Sequence, residues 1–145
     1  MPTLVWPSKS KAAVPPASLT VESIVYPRGQ DCLQTAVNRL ILGDNLKVMA
    51  ALLPEYEGRL DLIYADPPFF TNKHYPARIG RGEDSRRPRE WQLAEGYADH
   101  WSDLDAYLDF LYPRLELMVR LLAPHGTLYL HLDWHADAYA RLLLD

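Results

Sequence analysis

The sequence predicts an α/β protein with a mostly parallel sheet. Short apolar runs alternate along the chain with segments of helical periodicity, the arrangement in which helices connect parallel strands. One run, Leu60–Ala65, is almost continuously apolar, as is typical of a strand that is buried on both faces. The chain has 145 residues, 48% of them hydrophobic, which is enough for one core.

The first residues of the chain carry little periodicity. Residues 1–18 are rich in Pro, Ser, Ala and Lys, so we expect a flexible tail, followed by one domain over residues 19–145. The domain begins with Leu19–Tyr26, whose β-branched residues predict a short edge strand that Pro27 closes.

A strand, a helix and a second strand are predicted between residues 38 and 65. The apolar run at residues 38–42 stops at Gly43–Asn45, which are residue types of turns and helix caps. Apolar residues then recur at helical spacing over Leu46–Leu53, and Pro54 is expected to end this helix. Leu60–Ala65 is the second, buried strand.

Residues 70–100 are rich in Arg, Gly and Pro and lack a sustained period. We expect a long loop here, because such a stretch is typical of a functional or a disordered loop. Its arginines either contact nucleic-acid phosphates or belong to a solvated loop, since acidic residues lie among them. These arginines are Arg78, Arg81, Arg86, Arg87 and Arg89.

Regular patterns return after this loop. Ser102 and Asp103 predict an N-cap, and a long amphipathic helix follows as far as Leu122. Thr127–Leu132 predicts another strand, and a last helix is predicted from Trp134 onward. That helix has no C-capping signal before the sequence stops, so we expect the chain to be a fragment.

Composition excludes several classes of protein. The formal net charge of −4 provides no general attraction for nucleic acid, so such a partner would need a local positive patch. Cys32 is the only cysteine, which excludes an internal disulfide framework and fits a reducing compartment. No apolar stretch approaches the roughly 20 residues that cross a bilayer. We therefore expect a cytoplasmic chain that makes no membrane contact.

The tetrapeptide Asp66–Phe69 directly follows the predicted strand Leu60–Ala65. Ligands bind at the carboxyl ends of parallel strands, so we expect Asp66 and Asp44 to lie on one rim of the sheet. The amino nitrogen of adenine or cytosine is a poor nucleophile because its lone pair is delocalised into the ring. The Asp66 carboxylate and the Pro67 carbonyl would accept hydrogen bonds from this nitrogen and stabilise the charge that develops during attack.

The rest of the tetrapeptide suits the same chemistry. Pro67 and Pro68 stiffen the backbone and remove two competing N–H donors. Phe69 offers a flat face on which an extruded base can stack. The alternative interpretation is a turn that merely ends a strand, with a core aromatic behind it; the position after a buried strand favours the functional interpretation.

Together, these segments resemble one known family. Residues 42–46 (LGDNL) and 60–69 (LDLIYADPPF) are similar to the start of permuted amino-methylating DNA methyltransferases. This DNA methylase N-4/N-6 family includes the modification (Mod) subunits of type III restriction-modification systems. Trp101–Asp103, the predicted helix behind it and residues 126–133 resemble the family's next helix and strand. The resemblance covers residues 38–145.

The resemblance implies a partial Rossmann-like fold, S-adenosylmethionine as methyl donor and DNA as substrate. It favours adenine over cytosine, because the first motif position holds Asp rather than Ser. It further implies a restriction subunit or a second copy of the chain as protein partner. The residues assigned by resemblance are Asp66, Pro67, Pro68 and Phe69 for the target base, and Asp44 and Asn45 for the cofactor pocket.

One part of the family pattern is missing. The family's cofactor loop, an aromatic residue followed by Gly-x-Gly, does not occur in this sequence. In the permuted order this loop comes late, so its absence and the abrupt last helix both indicate the N-terminal part of a longer enzyme. Two alternatives remain open: an inactive remnant that only binds a partner, and a methyltransferase that acts on RNA or protein.

A second cluster consists of His131, Asp133 and His135, whose period-two spacing would place three metal ligands on one side of a strand. The helix predicted from Trp134 would turn His135 away, and the sequence offers no further ligand cluster. We therefore expect no metal site and interpret Asp133 as a polar cap at the edge of the sheet.

Overall fold

The computed structural model describes residues 3–10, 13–24, 38–79 and 92–145. Helices and strands are mixed along these residues, which agrees with the predicted α/β class. In chain order the elements are α1 (Asn45–Tyr56), β1 (Leu60–Ala65), β2 (Lys73–Ile79), β3 (Gln92–Asp99), α2 (Leu104–Leu121), β4 (Leu122–Leu130) and α3 (Asp137–Leu144).

Strands β1 and β4 form a small parallel sheet. Near their starts, the Arg59 N–H donates to the Leu121 carbonyl at 3.1 Å, and at their ends the His131 N–H donates to the Ala65 carbonyl at 2.9 Å. Both strands therefore run in the same direction, and their carboxyl ends meet at one edge. Gly126 allows their close approach, because a Cβ there would lie 2.6 Å from the Leu60 carbonyl oxygen.

The bounds of β1 are those predicted, but the expectation that it is buried on both faces is wrong. The side chains of Leu62 and Tyr64 are 59% and 66% exposed, whereas the alternate residues Ile63 and Ala65 are partly covered. A two-stranded sheet explains this difference, since the described residues cover only one of its faces.

The predicted long loop at residues 70–100 contains a second, antiparallel sheet of β2 and β3. The prediction of a long loop is therefore wrong for these two strands, and residues 80–91 lie outside the described part. Tyr75 is paired with Tyr97, and the register shifts between Tyr75 and Ala77. Pro76 occupies this irregularity, which is where a strand tolerates a residue without an N–H.

Helix α1 begins as predicted after Asp44. The Asp44 carboxylate accepts hydrogen bonds from the N–H groups of Leu46 and Lys47 at 3.0 and 3.1 Å, so it is the N-cap. The helix passes the predicted end at Pro54 and continues to Tyr56. A proline in the last turn removes one backbone hydrogen bond, and the turn that follows still closes.

Two predicted strands do not form in the described residues. Leu19–Ile24 and residues 38–42 belong to no strand, and the last two residues of the first predicted strand, Val25 and Tyr26, lie outside the described ranges. Leu40 and Leu42 are fully exposed, at 102% and 100%. An apolar run becomes a strand only where a neighbour satisfies its backbone groups, and no described segment pairs with either run.

The chain divides into two compact units, and the division crosses β1, α2 and β4. The N-cap of α2 is Asp103, as predicted, since its carboxylate accepts the Ala106 N–H at 2.8 Å. Both units bury apolar residues of this helix. The core of one contains Trp6, Tyr107, Leu108, Leu111, Tyr112, Leu115, Ala136 and Ala140, and the core of the other contains Ala50, Leu117, Met118, Leu121 and Ala123.

The segment at residues 3–10 packs through Trp6. The side chain of Trp6 is 6% exposed, its indole N–H donates to Asp109 at 2.6 Å, and its ring meets Tyr112 edge-on. The ammonium group of Lys9 lies 5.0 Å from the centre of the Trp6 ring. The division into a flexible tail and one domain stays a prediction, but part of the proposed tail is anchored. Among the described residues, no helix has the length and apolarity to cross a membrane.

Candidate functional site

Asp66 and His131 lie together at the carboxyl edge of the parallel sheet. Asp66 directly follows β1, and His131 directly follows β4. Asp66 Oδ1 lies 3.3 Å from His131 Nδ1, and the two side chains are 58% and 56% exposed. The carboxylate is thus accessible at the edge where parallel sheets bind ligands.

The carbonyl of Pro68 accepts a hydrogen bond from a buried tyrosine. The Tyr107 O–H donates to it at 2.9 Å, and Tyr107 is 0% exposed. Burial raises the pKa of Tyr107 above its usual value, and the charges of Asp99 and Asp133 raise it further. The hydroxyl therefore remains a donor at every physiological pH and holds the second proline of the tetrapeptide in place.

Phe69 ends the tetrapeptide against His131. The two ring centres are 5.3 Å apart with an interplanar angle of 69°, which is an edge-to-face contact. Phe69 is partly buried. His131, which the sequence predicts as a strand residue and a candidate metal ligand, therefore contacts both the first and the last residue of the tetrapeptide.

Asp99, the last residue of β3, is a buried carboxylate that no pattern in the sequence indicates. It is 0% exposed and accepts five hydrogen bonds. Three come from the consecutive backbone N–H groups of Phe69, Phe70 and Thr71, one from the Thr71 hydroxyl and one from the indole of Trp101. The backbone donors at residues 69–71 lie 28 to 30 residues before Asp99 in the sequence, and no local sequence pattern indicates that they pair with it.

The environment of Asp99 keeps it ionised. Burial by itself raises the pKa of Asp99, but the hydrogen bonds from Thr71, Trp101 and Phe70 outweigh it. The net result is a pKa below the usual value of an aspartate, because these donors stabilise the charged form.

The backbone after the tetrapeptide takes an uncommon path. Phe70 and Asn72 have φ angles of 65° and 55°, in the left-handed region that side chains other than glycine rarely adopt. The Asn72 side-chain carbonyl accepts the Trp101 N–H at 3.0 Å. Asn72 therefore ties this turn to the segment that precedes α2.

Asp133 behaves as the predicted polar cap. It accepts the His135 N–H at 2.9 Å and pairs with the His135 ring, and its carbonyl accepts the N–H of Asp137. Burial raises the pKa of Asp133, and the hydrogen bonds and charge of His135 lower it more, so that the net pKa lies below the usual value. Within the described ranges, no three His, Cys, Asp or Glu side chains are grouped as metal ligands.

This region of the chain matches a known family. A family model described as DNA methylase matches residues 60–145, a stretch that includes Asp66, His131 and Asp99. The chain belongs to the N-4/N-6 DNA methylase family. The predicted family, with its association with methyl transfer and restriction-modification, is confirmed.

Curated DNA methylases resemble the chain along most of its length. The Mod subunit of the type III restriction-modification enzyme EcoPI from Escherichia phage P1 is 28% identical, over 99% of this chain and 24% of that protein. The StyLTI Mod subunit from Salmonella typhimurium is 30% identical over 74% of the chain, and the type II methyltransferase M.HpaI from Haemophilus parainfluenzae is 28% identical over 74%. The chain spans about a quarter of the length of the EcoPI subunit.

The predicted cofactor residues Asp44 and Asn45 belong to the other compact unit of this DNA methylase chain. Asp44 caps α1, and Asn45 is the first residue of that helix. Their role at a cofactor, and their position on one rim with Asp66, stay predictions. Gly80 and Gly82 have the spacing of Gly-x-Gly but follow Ile79 rather than an aromatic residue. Both glycines, and the side chains of the predicted arginine cluster, lie outside the described residues.

Proposed function

We propose that this chain carries the base-binding part of a site-specific DNA methyltransferase that modifies the exocyclic amino group of a flipped adenine. The observation that carries the proposal is the accessible Asp66 carboxylate at the carboxyl edge of β1 and β4, within the residues that match the DNA methylase family. The alternatives, an inactive remnant and an enzyme acting on RNA or protein, receive no support from the relatives.

The chemistry assigned to this site is hydrogen-bond activation of a weak nucleophile. The Asp66 carboxylate and the Pro67 carbonyl accept the two hydrogens of the base amino group, which makes the nitrogen more pyramidal and its lone pair available. They also stabilise the positive charge that develops on nitrogen as the new C–N bond forms. The contact between Tyr107 and Pro68 supports this role, because it restrains the backbone next to the acceptor.

Phe69 is assigned to the face of the flipped base. Stacking on an aromatic ring offsets part of the cost of taking a base out of the duplex, and it contributes roughly 1–3 kcal/mol per base. The edge-to-face contact with His131 supports the assignment, since it fixes the plane of the Phe69 ring from the side.

The methyl donor in this proposal is S-adenosylmethionine, which supplies an electrophilic methyl group. The described residues do not by themselves fit a complete cradle for it. Asp44 already accepts two hydrogen bonds as a helix cap, and a Cβ at Gly43 would lie 3.3 Å from a methyl group of Val48. On the basis of the family match, we propose that the chain belongs to a Rossmann-like catalytic domain.

DNA is the proposed partner, and the relatives suggest a second one. The EcoPI and StyLTI relatives are both Mod subunits of type III restriction-modification enzymes. On that basis we propose that the protein assembles with a restriction subunit or with a second copy of itself. We also propose a cytoplasmic location, which suits a chain with one cysteine and a DNA substrate.

The proposal is tested by removing the Asp66 carboxylate. In the full-length protein that carries this chain, Asp66→Ala is expected to lower kcat for transfer of a radiolabelled methyl group to DNA at least about a hundred-fold, the scale of a lost transition-state contact. Asp61→Ala is the matched control. Asp61 also pairs with a histidine, His125, at 2.9 Å, but both side chains are about 80% exposed, and Asp61 lies near the start of β1 rather than at its carboxyl end.

Two measurements complete this test. Circular dichroism must show that both variants are folded, and digestion of the methylated DNA must yield N6-methyladenine. Full activity of a folded Asp66→Ala variant would remove the assigned role of the carboxylate. Recovery of N4-methylcytosine would overturn the choice of adenine, and methyl transfer to RNA alone would overturn the choice of DNA.

A further inference from the structure

We propose that Asp99 is a positioning residue of the methylation site, which holds the turn after the tetrapeptide in the shape that presents Phe69 to the base. This inference rests on the proposed function and extends it to a residue outside the tetrapeptide. It stands on the five hydrogen bonds that converge on one buried carboxylate.

The two carboxylate oxygens divide the donors of the turn between them. Oδ2 accepts from the N–H groups of Phe69 and Thr71 at 3.2 and 2.8 Å, and from the Thr71 hydroxyl at 2.7 Å. Oδ1 accepts from the Phe70 N–H at 3.1 Å and from the Trp101 indole at 2.8 Å. Three consecutive amides therefore point at a single group, which is possible only when the backbone between them curls around it.

That curl includes a strained residue. Phe70 adopts a φ of 65°, which is unfavourable for a residue with a bulky side chain, and its ring also packs against Tyr107 with centres 5.1 Å apart. A strained backbone persists only where surrounding contacts determine it. The bond from the Phe70 N–H to Asp99 is such a contact, so loss of the carboxylate should let this residue relax.

The presence of a charged side chain at the buried position 99 also requires a physical explanation. An ionised carboxylate is costly to bury, and the donors that the structure describes around Asp99 are neutral groups rather than a lysine or an arginine. A carboxylate has acceptors on both oxygens and no donor, which is what five converging N–H and O–H groups require. An asparagine in the same place would turn its NH2 group towards at least two of these donors.

The expected effect of Asp99→Asn is local. Amide hydrogen exchange at Phe69, Phe70 and Thr71 should become at least about ten-fold faster, because their hydrogen bonds to a charged acceptor are lost or opposed. In the full-length protein, kcat for methyl transfer should fall at least about ten-fold while KM for DNA changes little, since the turn acts on base presentation rather than on phosphate contacts.

Asp109→Asn is the matched control. Asp109 also accepts an indole N–H, from Trp6 at 2.6 Å, but it makes no hydrogen bond to residues 69–71. It should leave both exchange at these amides and kcat unchanged. A role in stability alone would instead lower the unfolding free energy of Asp99→Asn without changing kcat at a temperature where the variant is folded.

If Asp99→Asn does not fold, Thr71→Val decides the question. It removes the hydroxyl that donates to Asp99, which also lies 3.0 Å from the Tyr75 hydroxyl, and it retains the three backbone donors. The rise in exchange at Phe69 and Phe70 and the fall in kcat should therefore both be smaller than in Asp99→Asn but in the same direction. Unchanged exchange or unchanged kcat in the folded variants would overturn the proposal. Absence of DNA methylation by the wild-type protein would instead overturn the proposed function, while the exchange measurement would still report on the turn.

Discussion

Replacement of Trp6 by alanine tests how firmly the beginning of the chain is attached. Trp6 is 6% exposed although its neighbours in sequence have the composition of a tail. It donates a hydrogen bond to Asp109 at 2.6 Å, meets the Tyr112 ring at 5.6 Å between centres, and carries the Lys9 ammonium over its face. The substitution removes all three contacts and leaves a cavity.

The size of the effect follows from this burial. Truncation of a buried tryptophan to alanine typically costs about 3–5 kcal/mol. With an unfolding entropy of roughly 2.1 cal/mol/K per residue, cooperative unfolding of all 145 residues has an entropy of about 0.3 kcal/mol/K. For unfolding in one step, Tm should therefore fall by about 10–16 °C. Trp6→Phe keeps a ring and removes the indole N–H, and it should cost about 1 kcal/mol because Asp109 lies at the surface.

Urea unfolding followed by circular dichroism measures these differences. Trp134→Ala is the matched control, because Trp134 is 78% exposed and its loss should change the unfolding free energy by less than about 0.5 kcal/mol. If Trp6→Ala cost no more than Trp134→Ala, the packing of residues 3–10 would be refuted. The segment would then be the flexible tail that its composition predicts.

Three further predictions concern hydrogen bonds of the fold. Tyr107→Phe leaves the Pro68 carbonyl without its 2.9 Å donor and should lower the unfolding free energy by about 1–3 kcal/mol in urea titrations. Asp44→Ala removes two N-cap bonds and should cost about 1 kcal/mol, whereas Asp44→Ser should recover most of it. Because the pKa of Asp99 is lowered in the folded state, its contribution is present above the unfolded pKa near about 4 and disappears as pH falls through the lower folded value. The acid side of the stability–pH curve should accordingly be flatter in Asp99→Asn than in the wild type.

Elements with local signals could be predicted from the sequence, and elements with distant partners could not. The bounds of β1 agree with the prediction because its apolar run is contiguous, and α2 begins where Asp103 caps it. The pair β2 and β3 was missed because each strand depends on the other, and Pro and Gly residues obscure their alternation. The two strands predicted before residue 43 failed for the same reason: a strand is defined by a partner that its own sequence does not contain.

In the candidate site, too, residues that are contiguous in the sequence could be predicted, and residues with distant partners could not. Asp66, Pro67, Pro68 and Phe69 are contiguous, so their chemistry could be proposed from the sequence, and the family of that tetrapeptide is confirmed. The residues that hold the tetrapeptide are far away in sequence: Tyr107 is 39 residues from Pro68, and Asp99 is 30 residues from Phe69. A buried carboxylate also looks like any other acidic residue in the sequence, since its burial depends on how the chain returns to it.

The contrast between Asp66 and Asp99 argues for a division of labour between two carboxylates in one compact unit. Asp66 is 58% exposed beside His131, so an incoming amino group can reach it. Asp99 is 0% exposed and already accepts five hydrogen bonds, so it has no capacity left for a substrate. Environment rather than residue type therefore separates the two proposed roles. Exchange of aspartate for asparagine should accordingly act through direct contact with the base at Asp66, and through the shape of the turn at Asp99.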